Sequence, residues 1–115
     1  MNAPRPRRPV RGSQTGRPIM AAFDLLGRRW ALRVLWELRS TRHTFRSLQA
    51  ACQDISPAVL NTRLRELRDA KLVARSDEGY ALTRLGAQLI EALGPLDAWS
   101  RRWDRSLGKP AGPTR

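Results

Sequence analysis

The chain has one cysteine, one histidine and no long apolar run, and each scarcity excludes a class of protein. Cys52 alone cannot form an intrachain disulfide, and with His43 it does not make the spacing of a zinc site. Low cysteine content is typical of a reducing compartment, so we expect a cytoplasmic, nucleoid-associated protein. No stretch reaches the roughly 18 apolar residues that cross a membrane. No unbroken apolar segment follows the basic N-terminus as it would in a signal peptide.

Acidic residues are also few: the chain has 10 acidic and 22 basic residues, which gives a formal net charge of +12. Such a charge indicates a polyanionic partner, most simply double-stranded DNA. The basic residues are 20 Arg and 2 Lys. Arg binds phosphate bidentately, although genome composition explains the preference for Arg over Lys equally well. The scattered carboxylates, with no Gly-rich phosphate loop and no HExxH motif, predict no catalytic, cofactor-binding or metal site, so the protein is not expected to be an enzyme.

The length predicts one domain between two disordered ends. Residues 1–17 contain five Arg, three Pro and no acid, and so cannot form a core. This segment is either a basic arm that follows phosphates or enters a minor groove, or a solubilising tail, or the product of a misassigned start codon. Residues 108–115 are expected to form a second disordered tail. The folded domain is therefore expected over residues 18–107.

Residues 55–72 carry the strongest helical pattern in the chain. Ser56 can accept a hydrogen bond from the first helical turn, and Pro57 suits the first helical position. Leu60, Leu64 and Leu67 recur at i, i+4 and i+7, which predicts one buried stripe. The opposite face is short, polar and partly basic, as a helix that reads a major groove requires. Its members are Ala58, Asn61, Thr62, Arg65 and Asp69.

The surrounding pattern predicts a winged helix-turn-helix. Three helices are expected before residue 53, a tight turn at 53–55, and a β-hairpin directly after the residue 56–70 helix, where a wing belongs. The fold class is mainly α with a small β-hairpin (α+β), flanked by dimerisation helices. The predicted elements are helices 18–26, 30–38, 45–51 and 83–107 and strands 72–75 and 80–83 around a turn at 76–79.

The last predicted helix has more apolar surface than so small a core can cover. Its apolar residues repeat at three- and four-residue steps, so the surplus favours packing against the same helix of a second subunit. The alternative is that the helix folds back onto its own core. Gly94 and Pro95 predict a kink or a split in the helix.

These segments together resemble the HxlR-type winged-helix transcriptional regulators of bacteria, over about residues 18 to 104. The matching pieces include Gly27–Arg28–Arg29–Trp30, Phe45–Arg46–Ser47–Leu48, Ile55–Ser56–Pro57, Arg63–Leu64–Arg65–Glu66–Leu67, Tyr80–Ala81–Leu82–Thr83 with Gly86, and Trp99.

The resemblance implies a homodimer joined through its first and last helices, with two recognition helices in successive major grooves of a palindromic operator. Such proteins repress or activate nearby genes, so a repressor is one expectation, and a small-molecule effector is an allowed partner. The expected interface residues are Ile19, Phe23, Leu89, Leu93, Leu96, Trp99 and Trp103.

Three departures from the family pattern affect function. Many members have a sensor cysteine before the first helix, whereas here Gly16, Arg17 and Pro18 occupy that neighbourhood, so thiol sensing by that route is not predicted. Ala58 replaces a common basic residue. The wing is shortened to a turn with Asp77 and Glu78, whose charges would repel phosphate.

Among the candidates for DNA contact, Asn61 and Arg65 are the best placed to read bases, since their side chains can bind adenine or guanine bidentately. The alternative is that Asn61 and Arg65 belong to an ordinary solvent-exposed helix face and contact no DNA. Arg46 is expected to grip the phosphate backbone, and Arg63 and Arg68 to contact phosphate or form ion pairs. The full predicted set is Arg46, Ser56, Pro57, Ala58, Asn61, Thr62, Arg63, Arg65, Arg68 and Arg75.

Two residues with reactive side chains have simpler explanations. Cys52 is expected to be a small buried residue rather than a redox sensor, and His43 to make a turn or backbone contact. The leading hypothesis is a sequence-specific DNA-binding transcriptional regulator. The alternative is a winged helix used as a protein-interaction module or as a non-specific chromosome-coating protein.

Overall fold

A computed structural model describes residues 17–108, so the predicted arm (apart from Arg17) and tail (apart from Gly108) lie outside the described residues. The described chain is a winged helix-turn-helix, as the sequence predicted. Its elements are α1 (Pro18–Leu26), α2 (Ala31–Glu37), α3 (Phe45–Cys52), α4 (Pro57–Asp69), β1 (Val73–Ser76), β2 (Gly79–Leu82) and α5 (Arg84–Ser106).

The helix-turn-helix consists of α3, a tight turn and α4. Gln53 ends α3 with a positive φ of 69°, which reverses the chain within a few residues. The Ser56 hydroxyl then accepts a hydrogen bond from the Val59 amide at 3.1 Å, and Pro57 occupies the first turn. The predicted cap and helix start are therefore both confirmed.

The core lies between α2, α3 and α4 and is sealed by the hairpin. The predicted stripe of α4 is almost completely buried, and it meets buried side chains from the neighbouring elements. Its members and their main neighbours are Val34, Leu35, Leu38, Leu48, Ile55, Leu60, Leu64, Leu67, Val73 and Tyr80.

The wing is a short antiparallel hairpin in which Val73 pairs with Leu82 and Ser76 with Gly79. An additional backbone bridge joins His43 to Tyr80, with His43 N donating to the Tyr80 carbonyl at 2.9 Å and Tyr80 N donating back at 2.7 Å. Gly79 has a φ of 112°, and a side chain there would overlap the His43 carbonyl. The bridge thus anchors the wing to the segment before α3.

Helix α5 is one uninterrupted helix of 23 residues, so of the predicted kink or split at Gly94 and Pro95 the split is wrong. A residue before proline normally avoids the helical conformation because its Cβ approaches the proline ring. Gly94 has no Cβ and therefore relieves that clash, whereas Pro95 still removes one backbone donor and its ring crowds the carbonyl four residues earlier. At about 1.5 Å per residue, the helix is about 35 Å long. Within residues 17–108, no helix has the length and apolar content to cross a membrane.

Candidate nucleic-acid interface

The outer face of α4 is solvent-exposed and polar. Asn61 and Arg65 are exposed on the side of the helix away from the buried leucines, and Arg68 is exposed on its flank. Thr62 is half-buried. Because the leucine stripe fixes the helix against the core, the exposed arc has a defined orientation. An amide and two guanidinium groups on one rigid helix can donate to base edges and phosphates at once.

The N-terminal end of α4 is also accessible. Ser56, Pro57 and Ala58 are all exposed. The Ser56 hydroxyl already accepts from the Val59 amide, but its own proton can still be donated to a phosphate oxygen. Ala58 leaves this end small and uncharged, so a groove could approach its backbone closely.

Arg63 has a different environment from its neighbours on α4. Its Nε donates to the Arg29 carbonyl at 2.6 Å, and its Nη1 donates to Glu66 Oε1 at 2.8 Å. Only 18% of its side-chain surface is exposed. Its guanidinium is therefore directed towards the turn between α1 and α2 rather than outward with Arg65.

Glu66 was not recognised from the sequence as a structural residue, yet it is a buried charge on α4, with 7% exposure. Its second oxygen, Oε2, accepts from Arg28 Nη1 at 2.7 Å. The sequence offers one signal, since Arg63 precedes Glu66 by three residues, a spacing that lets two side chains meet on a helix. Pairing with two Arg residues compensates the burial of the Glu66 charge.

Arg46 is exposed in the first turn of α3, which leaves its guanidinium accessible to a phosphate backbone. The nearby Thr44 hydroxyl caps α3 by accepting from the Ser47 amide at 3.0 Å. His43 Nδ1 lies 2.9 Å from Ser47 Oγ, so the imidazole packs beside the start of α3.

The wing carries a basic side chain on its first strand and two acidic side chains in its turn. Arg75 is exposed, with its guanidinium carbon 5.7 Å from the centre of the Tyr80 ring. Glu78 forms an exposed ion pair with Arg42 at 2.8 Å, which offsets part of the acidic charge of the turn. Asp77 is exposed beside it.

Most of the residues expected at a dimer interface are exposed in the described chain. Ile19 and Phe23 on α1 are 50% and 61% exposed, and Leu96, Trp99 and Trp103 on α5 are similarly uncovered. Leu93 is half-buried. Leu89 differs, because it packs against the core of its own chain together with Ile90.

The Cys52 side chain is buried at the end of α3, with 1% exposure, as the sequence predicted. Burial raises the pKa of its thiol, an effect that Arg33 opposes and Glu37 reinforces. The thiol is thus both inaccessible and poorly ionised, the reverse of a reactive cysteine. Within residues 17–108, no three His, Cys, Asp or Glu side chains cluster as metal ligands would.

Known proteins share both the sequence and this arrangement. The model of the HxlR-like helix-turn-helix family matches residues 25–107. The HTH-type transcriptional regulator YvaP of Bacillus subtilis is 30% identical over 89 residues, which are 71% of this chain and 82% of YvaP.

Two solved structures support the same relationship. Quinone-bound YodB from B. subtilis superposes with a TM-score of 0.69 and 30% identity, over 73% of this chain and 96% of that one. A possible HxlR family transcriptional factor from Thermoplasma volcanium gives a TM-score of 0.64 and 31% identity, over 70% and 79% of the two chains. The chain belongs to the HxlR-like helix-turn-helix family and is a DNA-binding transcriptional regulator of the helix-turn-helix type.

Proposed function

We propose that the protein is a homodimeric, sequence-specific regulator that reads a palindromic operator with α4 in the major groove. The main support for this proposal is that Asn61, Arg65 and Arg68 are exposed on α4. The leucines of the same helix are buried in the core and fix its orientation. A major groove about 12 Å wide accepts a helix and presents a distinct donor and acceptor pattern for each base pair.

In this proposal Asn61 and Arg65 read bases, since both can form paired hydrogen bonds with a purine edge. Arg68, farther along the same face, meets the phosphates at the side of the groove. Arg63 stabilises the position of α4, because its Nε and Nη1 donate to groups within the protein. Close contacts at the start and edge of the helix come from Ser56, Pro57, Ala58 and Thr62.

Two further arginines act outside α4. Arg46 in the first turn of α3 binds the sugar-phosphate backbone without regard to sequence. Arg75 on β1 contacts backbone beside the wing, where the Arg42–Glu78 pair reduces repulsion from the acidic turn. Each phosphate neutralised in this way releases counterions, so binding weakens as salt rises.

The dimer forms through α1 and the outer half of α5. Exposed Ile19 and Phe23 on one helix and Leu96, Trp99 and Trp103 on the other provide more apolar surface than a monomer normally leaves in water. A two-fold axis through this surface gives the pseudo-palindromic DNA site that two identical recognition helices require. A small-molecule effector would bind between the subunits near Trp99 and Trp103.

The second candidate is non-specific coating of DNA, or a protein-interaction role. The short wing with Asp77 and Glu78 favours it, because an acidic tip is a poor minor-groove reader. The net charge of +12 is sufficient for salt-sensitive binding to any duplex.

Fluorescence anisotropy on DNA from the protein's own promoter region and on random DNA, at two salt concentrations, separates the two candidates. We expect a preference of about a thousandfold or more for the promoter DNA. Equal affinity for both, lost together at high salt, would favour the coating function and contradict the proposal.

A further inference from the structure

A network of largely buried charges joins α1 to α4 through the turn between α1 and α2. Arg28 in this turn donates from Nη1 to Glu66 Oε2 on α4 at 2.7 Å, and from Nη2 to Asp24 Oδ2 on α1 at 3.4 Å. Arg63 completes the network by donating to the other oxygen of Glu66. The side chains of Arg28, Asp24 and Glu66 are 11%, 10% and 8% exposed.

This charge network adds a polar link between two helices whose buried leucines share one core. Helix α1 packs mainly on α2, whereas α4 packs on α2 and β1. A guanidinium group is planar, with its donors at fixed angles, so a single Arg that binds two carboxylates constrains the direction of both. Arg28 therefore fixes how α4 is oriented with respect to α1.

Because Arg28 is largely buried, its charge has a structural role. A side chain with 11% exposure offers no charge to a phosphate, so Arg28 is not a DNA contact. Replacing a buried ion pair by apolar groups often leaves stability unchanged, and in some proteins such pairs specify geometry instead. The charges in the network are also balanced, two Arg against one Asp and one Glu.

We propose that Arg28 is a positioning residue that sets the half-site spacing read by the dimer. The inference rests on the proposed function, in which α1 lies in the dimer interface and α4 lies in the major groove. If both hold, the orientation of α4 relative to α1 determines the separation of the two recognition helices. Half-sites one helical turn apart, about 34 Å, are met by both helices only if that separation is maintained.

The test compares Arg28→Met with wild type on two duplexes. One is a fragment that wild type selects from random sequence, with both half-sites, and the other has one half-site scrambled. Arg28→Met removes both hydrogen bonds to carboxylates and should lower the preference for the two-half-site duplex about tenfold or more. Binding to the single half-site should stay within about twofold, because local reading by α4 does not depend on α1.

Arg33→Met is the matched control, since it removes the same charge from a more exposed pair with Glu37 on α2, outside both proposed interfaces, and should leave the preference unchanged. Arg28→Lys should recover part of the preference. If circular dichroism shows that Arg28→Met is unfolded, Asp24→Asn carries the same test, because it removes the carboxylate charge at the α1 end of the network.

An equal loss on both duplexes, or an unchanged preference, would overturn the inference while the proposed function stood. A wild-type protein with no preference for two half-sites would instead overturn the proposed dimeric function, and the inference with it.

Discussion

Trp99 and Trp103 stack on the outer half of α5, with ring centroids 5.5 Å apart and ring planes within 11° of parallel. They are 47% and 53% exposed in the single chain, so this aromatic pair is only half covered by its own molecule. A rigid, partly uncovered aromatic pair is typical of the centre of an interface between proteins.

We therefore expect Trp99→Ala to weaken dimerisation by about thirtyfold or more, the effect of losing a large buried anchor at an interface. Sedimentation velocity over a range of protein concentrations measures it. Leu32→Ala removes an exposed apolar side chain from α2 and should leave the association unchanged. A Trp99→Ala protein that associates as wild type does would exclude α5 from the interface.

The Ser56 side chain caps the N-terminus of α4 and should contribute to stability. The Ser56 hydroxyl accepts from the Val59 amide, and removing it in Ser56→Ala should lower the free energy of unfolding by about 1 kcal/mol. Ser56→Thr keeps the oxygen and should restore most of that difference. Urea denaturation followed by circular dichroism distinguishes the three proteins, and a Thr variant as unstable as the Ala variant would argue against the cap.

Replacing Gly86 by Ala should destabilise the protein, although Ala is normally the better residue in a helix. Gly86 is buried in the first turn of α5, where a side-chain carbon would overlap the Leu72 carbonyl and press on the Leu82 side chain. In an unobstructed helix, Gly→Ala stabilises by about 1 kcal/mol. Here Gly86→Ala should destabilise by about 1 to 3 kcal/mol because backbone must shift. A higher melting temperature for this variant would contradict the packing described.

Cys52 should be unreactive in the folded protein. Burial raises its thiol pKa, so the folded state holds this proton more tightly than the unfolded chain does. The associated stability is complete below the thiol's ordinary pKa and falls as the pH rises through the raised value. Alkylation with iodoacetamide should label the protein only with denaturant present. Rapid labelling without denaturant would reopen a redox role.

The local features of the fold could be read from the sequence because they depend on neighbouring residues. The Ser56 cap, the Pro57 start and the leucine stripe of α4 all follow from spacing within one helix. The hairpin follows from two short strand patterns around a turn, and the structure confirms it with Val73 opposite Leu82.

Long-range features could not be read in this way. Arg63 and Arg65 look alike in sequence, but Arg63 is directed inward by the Arg29 carbonyl, which is 34 residues away. Leu89 belongs to the same apolar repeat as Leu96, yet it packs on its own core, because α5 leaves that core only after Ile90. Such outcomes depend on which surfaces tertiary packing brings together.

Two alanine variants test most directly whether α4 reads sequence while Arg46 binds the DNA backbone. Anisotropy titrations compare Arg65→Ala and Arg46→Ala on promoter and random DNA. Arg65→Ala should lose about 1 to 3 kcal/mol on promoter DNA and relax the preference at one base position. Arg46→Ala should weaken both duplexes alike and reduce the salt slope by about 1. Equal losses on both duplexes from both variants would contradict the assignment of α4 as the reading helix.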